Sequence, residues 1–130
     1  MTREASCTCG QLTAVCADEP VRVSVCHCYA CQQRTGSAFG VQARFAADTV
    51  TLAGEATEFT RTGDGGAKAT FRFCPTCGDT VSYTLDVFPG WVMVPVGAFG
   101  DRDFPAPTAT VYEDRAHPWL ELHGIETRMR

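Results

Sequence analysis

The sequence predicts a mainly β protein: a single domain, residues 1–130, built of short antiparallel sheets with very little helix. Three observations lead to this fold class. Short stretches rich in β-branched and aromatic residues recur between turn signals along the chain. Helical periodicity is scarce, and the single good candidate is one short turn. The 130 residues contain no repeat or long linker, which fits one domain with a moderate core.

The predicted strands can be placed in chain order. They are Gln11–Ala17, Arg22–Val25, Ala38–Phe45, Thr49–Leu52, Thr57–Arg61, Ala67–Phe73, Thr80–Leu85, Trp91–Val96 and Ala109–Tyr112. Apolar and polar residues alternate within 70–73 and 81–85, which predicts one buried and one solvent-facing side in each of those strands. Gly63–Gly66 is typical of a hairpin tip. The helical turn is expected at Tyr29–Arg34 and ends at Gly36, a residue suited to a left-handed cap.

Composition and charge narrow the class of protein. The formal net charge is −4 and no Lys/Arg cluster is present, which disfavours nucleic acid as a partner. The N-terminus lacks an apolar signal-peptide core, and the longest apolar run, 91–99, is too short to span a bilayer. A cytoplasmic protein without a membrane partner is therefore expected. In that reducing compartment, eight cysteines indicate metal or thiol chemistry rather than disulfides.

Two cysteine pairs have the spacing of metal ligands. Cys74 and Cys77 lie two residues apart in a Cys-Pro-Thr-Cys-Gly stretch, the composition of a zinc knuckle. Cys7 and Cys9 form a tighter pair, also followed by glycine. Together they predict a closed site of four thiolates. Structural zinc of this kind contributes ~10 kcal/mol or more to the folding of small domains.

Three further cysteines lie close together at Cys26, Cys28 and Cys31. Three thiolates leave one of the four tetrahedral positions open. Catalytic zinc sites keep such a position for water or substrate, whereas structural sites are closed. A zinc ion with three thiolate ligands forms a site of net charge −1. Such a site activates water poorly but is suited to holding an added thiol as its thiolate. His27 lies between two of these cysteines and is expected to project away from the metal. Cys16 stands alone in a strand and is expected to be a core residue.

The order of the motifs resembles the glutathione-dependent formaldehyde-activating enzyme family, whose domain is shared by centromere protein V-like proteins. The resemblance rests on residues 6–10, 26–39 and 73–78 and on a late Trp119, and covers nearly the whole chain. It implies a small β-tent fold with two Zn²⁺ per chain. By this pattern Cys7, Cys9, Cys74 and Cys77 hold a structural zinc. Cys26, Cys28 and Cys31 hold a second, catalytic zinc whose occupancy the sequence leaves open.

The resemblance also implies an activity, the joining of glutathione to formaldehyde by an enzyme of carbon–sulfur lyase type. As a hypothesis, the substrate thiol takes the open position on the second zinc and its thiolate adds to the aldehyde. Arg34, Thr35 and Ser37 are candidates to hold a substrate carboxylate or the oxyanion, although they are also compatible with a solvated side chain and a turn. Gln32 stands where the family frequently has arginine. No motif specifies the thiol, the aldehyde or the oligomeric state.

Other classes of function remain open. The main alternative is a non-catalytic zinc-binding module that engages a protein or ligand. Thiol redox catalysis ranks lower because it would sacrifice metal ligands. A rubredoxin-like iron site also ranks lower because only one clear knuckle is present. The aromatic residues Phe39, Phe45, Phe88 and Trp91 fit a core more readily than a pocket wall.

Overall fold

The computed structural model describes residues 2–130 and confirms the mainly β fold class. Its strands are β1 (Arg3–Ser6), β2 (Thr13–Cys16), β3 (Arg22–Cys26), β4 (Gly40–Ala46), β5 (Val50–Ala53), β6 (Thr57–Thr62), β7 (Lys68–Phe73), β8 (Thr80–Leu85), β9 (Trp91–Pro95), β10 (Ala109–Val111) and β11 (Thr127–Arg128). The helix α1 covers Tyr29–Thr35, and 3₁₀ turns cover Ala47–Thr49, Val96–Phe99 and Glu113–Arg115. Within residues 2–130, no helix has the length and apolarity needed to cross a bilayer.

The strands form a small sheet and a large one. The small sheet has the order β1-β2-β5 and is antiparallel throughout. The large sheet has eight strands in the order β11-β10-β3-β4-β9-β8-β7-β6. It is mixed rather than purely antiparallel, because β10 runs parallel to both β3 and β11. The long connection between β9 and β10 supplies the length that a parallel return requires.

Sequence patterns located most of these elements. The nine predicted strands correspond to β2–β10, and the hairpin tip between β6 and β7 is confirmed by a 2.8 Å bond from Gly63 N–H to the Ala67 carbonyl. The helix runs one residue beyond its predicted end and is capped by Gly36 at φ 69°. Two strands were not predicted, because β1 carries charged residues and β11 has only two residues.

The expectation of a solvent-facing side on β8 is wrong. Val81, Ser82 and Tyr83 expose 0%, 0% and 6% of their surface. Val81 is an extra residue at a register shift between β7 and β8 and packs in the main core, whereas Tyr83 packs on the other side of the sheet against Phe71 and Met93. The strand is therefore covered on both faces. In β7 the buried Phe71 does alternate with half-buried neighbours, as expected.

The main core lies between the two sheets. Its largest members include Phe45, Leu12 and Val94, and it also holds the buried thiols of Cys7, Cys16 and Cys74. The other face of the large sheet carries the alternate residues of β3, β4, β7, β8 and β9, which border a cavity. This division places one group of cysteines beside the core and leaves the other on the cavity side.

Candidate metal centres and the adjoining cavity

Four cysteines meet between the loop after β1 and the turn joining β7 to β8. The sulfur atoms of Cys7, Cys9, Cys74 and Cys77 all lie within 4.8 Å of one another. The Sγ atom of Cys9 is 3.6 Å from that of Cys7 and 3.6 Å from that of Cys74. Tetrahedral zinc with ~2.3 Å bonds to sulfur would separate its ligands by about 3.8 Å. The cluster thus fits a tetrahedral, thiophilic ion such as zinc.

Glycines shape both halves of this cluster. Gly10 and Gly78 each adopt φ of 85°, a left-handed conformation that lets the chain turn back directly after the second thiol. The N–H of Gly10 donates to the Cys7 carbonyl at 3.1 Å, and that of Gly78 donates to the Cys74 carbonyl at 2.8 Å. The two pairs therefore present their thiols through the same kind of tight turn.

Hydrogen-bond donors surround the sulfur atoms of the four-cysteine cluster. The backbone N–H of Leu12 lies 3.3 Å from the Cys7 sulfur, and the side-chain amide of Gln11 lies 3.0 Å from the Cys74 sulfur. Donors aimed at sulfur favour the thiolate over the thiol. Asp79 adds a further link by accepting the Thr8 N–H at 2.8 Å, and the hydrogen bonds from Thr8 lower the pKa of the Asp79 carboxyl.

Three cysteines meet at the start of α1. Cys26 ends β3, Cys28 is the N-cap residue of the helix, and Cys31 lies in its first turn. All three are buried, and their sulfur atoms lie within 4.8 Å of one another. The Cys26 and Cys28 sulfurs are 3.3 Å apart, and the Cys28 sulfur also accepts the Cys31 N–H at 3.3 Å. Gly40, opposite Cys26 on β4, leaves room: a Cβ there would lie 3.4 Å from the Cys31 Cβ.

The chemistry of this donor set also suits a metal. Hydrogen bonding with Cys26 lowers the pKa of the Cys28 thiol, whereas the same contact raises the pKa of Cys26. Negative charge on one thiol therefore opposes ionisation of its neighbour, and a divalent cation would relieve that conflict. Three protein donors leave one of four tetrahedral positions to an outside ligand.

His27 does not join the three sulfurs. Its side chain is 2% exposed, and its ring packs 6.2 Å from the ring of Phe39. Burial lowers the pKa of His27. Its backbone is held on both sides, since its N–H donates to the Val111 carbonyl at 3.1 Å and its carbonyl accepts the Gln32 amide at 2.8 Å. The residue thus anchors the loop that carries the thiols.

Gln32 makes structural contacts away from the three sulfurs. Besides the bond to His27, its Nε2 donates to the Arg115 carbonyl at 3.3 Å, and its Oε1 pairs with the His117 ring at 2.8 Å. These hydrogen bonds tie α1 to the C-terminal segment.

A cavity of about 630 Å³ opens beside the three-cysteine cluster. Cys26, Cys28 and Cys31 all lie on its wall. Its other lining residues are Arg22, Ser24, Tyr29, Ala30, Gln33, Gln42, Arg44, Arg61, Gly63, Asp64, Ala67, Ala69, Phe71, Tyr83, Leu85, Val87, Phe88, Met93, Val111, Tyr112, Arg115 and Met129. The volume falls within the range of small-molecule sites in proteins.

The cavity is positively charged although the chain as a whole is negative. Arg22, Arg44, Arg61 and Arg115 line it, with Asp64 as the one acidic residue among the lining side chains. Asp64 pairs with Arg115 at 2.7 Å, and this contact raises the pKa of Arg115. The remaining arginines have no carboxylate partner within residues 2–130. An anionic ligand suits this lining.

The residues predicted to contact substrate lie around the helix end. The Arg34 guanidinium packs over the rings of Phe71 and Tyr83, 5.2 and 5.4 Å from their centroids, and borders a smaller neighbouring pocket. Thr35 donates its hydroxyl to the Cys31 carbonyl at 2.8 Å and accepts the Ser37 N–H at 3.1 Å. Thr35 and Ser37 are absent from the lining of the large cavity. Substrate contact by the three residues stays a prediction.

Two sequence expectations about single residues can be compared with the structure. Cys16 is fully buried in the main core, as expected, and burial raises its pKa to about 11. Of the four aromatic residues, Phe45 is a core residue, but Phe88 is 44% exposed and lines the cavity. No sequence pattern identified the cavity arginines, because each occurs singly on a different strand or turn.

Comparisons with known proteins agree with this architecture. A solved structure of a Rhodobacter sphaeroides protein is similar to this chain with a TM-score of 0.57 and 20% sequence identity, covering 73% of this chain and 85% of that one. This likeness concerns the fold. No curated protein matches the chain. The family described as glutathione-dependent formaldehyde-activating enzyme matches residues 2–115. The chain belongs to the glutathione-dependent formaldehyde-activating enzyme family.

Proposed function

We propose that this protein is a zinc-dependent enzyme of carbon–sulfur lyase type that forms and cleaves the adduct of glutathione with formaldehyde. The observation that carries the proposal is the position of three buried, mutually contacting thiols on the wall of a large, positively charged cavity. Family membership supports the choice of thiol and aldehyde. Since the thiols must stay reduced to hold a metal, a reducing compartment such as the cytoplasm suits the enzyme.

The two cysteine clusters receive different roles in this proposal. Cys7, Cys9, Cys74 and Cys77 supply four ligands, enough to close a structural zinc site. Cys26, Cys28 and Cys31 supply three ligands of a second zinc beside the cavity. When bound there, zinc would lower the pKa of a coordinated thiol so that its thiolate form persists at neutral pH.

The proposed reaction is an addition to a carbonyl. The substrate S–H bond breaks, a new S–C bond forms to the formaldehyde carbon, and the carbonyl electron pair moves to oxygen. That oxygen takes up a proton, which gives the hydroxymethyl thioether, and the reverse steps regenerate both reactants. Atoms and charge balance without an oxidant or reductant.

Side chains of the cavity would assist by position and charge. Tyr83 is 6% exposed on the cavity wall, and burial raises its pKa, so its phenol remains an O–H donor at neutral pH. Arg61 lies on the same wall, and its positive charge favours the thiolate form of Cys28. Holding both reactants in this cavity would make their addition effectively unimolecular.

The test measures how fast glutathione and formaldehyde exchange with their adduct, using exchange NMR on the zinc-loaded protein. We expect the wild type to accelerate exchange and Cys31→Ala to lose at least ~10-fold of that acceleration, because the variant lacks one of three metal ligands. Cys16→Ala is the matched control, since it removes a buried thiol outside both clusters. Equal acceleration by both variants, or none by the wild type, would contradict the proposal.

A further inference from the structure

Two neighbouring strands carry a row of polar side chains from the three-cysteine cluster along the cavity wall. The cavity wall includes Arg22, Ser24 and Cys26 of β3 and Gln42 and Arg44 of β4, and the two strands are antiparallel. Their facing pairs are, in order from the thiols, Cys26 with Gly40, Ser24 with Gln42, and Arg22 with Arg44. At ~3.4 Å per residue, the Cα atoms of the first and last pairs are ~14 Å apart. An extended ligand can therefore contact the thiols and the arginines together.

The arginine pair at the far end suits an anion. Arg22 and Arg44 lie directly opposite each other on adjacent strands, an arrangement in which like charges are destabilising. Both line the cavity, and neither forms an ion pair within residues 2–130. The Arg44 guanidinium stacks near Phe88 and Trp91, 5.6 and 5.5 Å from their centroids, and its buried Nε has no partner in the described chain. A carboxylate, which accepts paired N–H bonds from guanidinium groups, would offset the repulsion.

The middle pair offers a second polar contact. Gln42 is 9% exposed, and its Nε2 donates to the Ser24 hydroxyl at 2.9 Å. Its Oε1 is buried and has no hydrogen-bond partner within residues 2–130, a costly state for an acceptor. A peptide amide carries both an N–H and a C=O and therefore complements a side-chain carboxamide. The position between the thiols and the arginines suits the amide of a ligand that spans both.

We propose that Gln42, Arg22 and Arg44 form a specificity subsite for the non-reacting part of the substrate. Gln42 pairs with a peptide amide, and the two arginines hold a carboxylate. These three residues would distinguish the anionic peptide thiol of the proposed function from small neutral thiols. The inference rests on the proposed function for the thiol end, but the subsite itself requires no reaction. Its residues determine specificity and do not touch the reacting atoms.

The first test uses a ligand that cannot react. S-methylglutathione keeps the amides and carboxylates of a peptide thiol but has no free thiol, so its binding measures the subsite alone. By calorimetry on the zinc-loaded protein, we expect Arg44→Met to weaken binding roughly tenfold to a hundredfold, the effect of losing hydrogen bonds to a charged group. Gln42→Leu is expected to weaken it by about threefold to tenfold. Arg102→Met, an exposed arginine outside the cavity, is the matched control and should bind as the wild type.

A second test needs only the wild-type protein. The diethyl ester of S-methylglutathione lacks both carboxylate charges, and we expect it to bind at least ~10-fold more weakly than the free acid. The inference would be overturned if the wild type fails to bind S-methylglutathione, or if neither esterification nor Arg44→Met weakens binding.

These binding results are separable from catalysis. If glutathione exchange is accelerated but the binding results contradict the subsite, the inference alone fails. If binding behaves as expected without acceleration of exchange, the proposed function alone fails.

Discussion

Two glycines with positive φ show how much a single residue depends on its surroundings. Gly36 ends α1 at φ 69°, and an added Cβ would meet no atom within 4 Å. Gly54 has φ of 97°, and an added Cβ would lie 1.9 Å from the Gln11 carbonyl oxygen. Gln11 in turn contacts the Cys74 sulfur at 3.0 Å. Close packing at Gly54 therefore helps to seat the four-cysteine cluster.

This contrast predicts two different costs for the same substitution. Gly36→Ala should lower the free energy of unfolding by ~1 kcal/mol, the cost of a left-handed conformation without a clash. Gly54→Ala should lower it by at least ~3 kcal/mol, because backbone must also move. Urea unfolding of the zinc-loaded variants measures both. Equal costs would show that the contact between Gly54 and Gln11 does not constrain the fold.

At the scale of elements, α1 combines two tasks in one residue. The Cys28 sulfur caps the helix by accepting the Cys31 N–H, and it also belongs to the three-cysteine cluster. Serine is a good N-cap residue but a poor substitute for a thiolate ligand. Cys77 has no such second task and belongs to the cluster that joins the N-terminal loop to the turn after β7.

Cys28→Ser should therefore keep the fold and lose one zinc. Because serine preserves the helix cap, its free energy of unfolding should fall only by what binding of the second zinc contributes. Cys77→Ser should lower it by several kcal/mol, since structural zinc contributes ~10 kcal/mol or more. Zinc content and urea unfolding of the two variants provide the comparison. If Cys28→Ser unfolds as readily as Cys77→Ser, both clusters are structural, and a non-catalytic zinc-binding module becomes the better interpretation.

The elements also show what the sequence could and could not predict. Ligand spacing and turn glycines identified the members of both cysteine clusters, because the cysteines of each pair and of the triplet lie within a few residues of one another. The parallel pairing of β10 depends on where a long connection returns, and local pattern does not encode it. The Arg22–Arg44 pair is a matter of strand register across 22 positions, so neither residue stands out alone. The buried faces of β8 likewise depend on what the rest of the chain places on each side.

At the scale of the whole molecule, the large sheet separates two environments. On one face, Cys7 and Cys74 lie with the main core between the sheets. On the other face, the three-cysteine cluster borders a cavity with several arginines in a chain of net charge −4. This separation suits the proposed division of roles, in which one metal site maintains the fold while the other meets a ligand.

The most direct test of the central claim combines metal analysis with glutathione titration. We predict two zinc ions per chain in the purified protein. In the cobalt-substituted form, glutathione should change the thiolate-to-cobalt absorption of one site and leave the other unchanged. Cys28→Ser should bind one metal and give no response to glutathione. A single metal ion in the wild type, or two ions that are both insensitive to glutathione, would contradict the account.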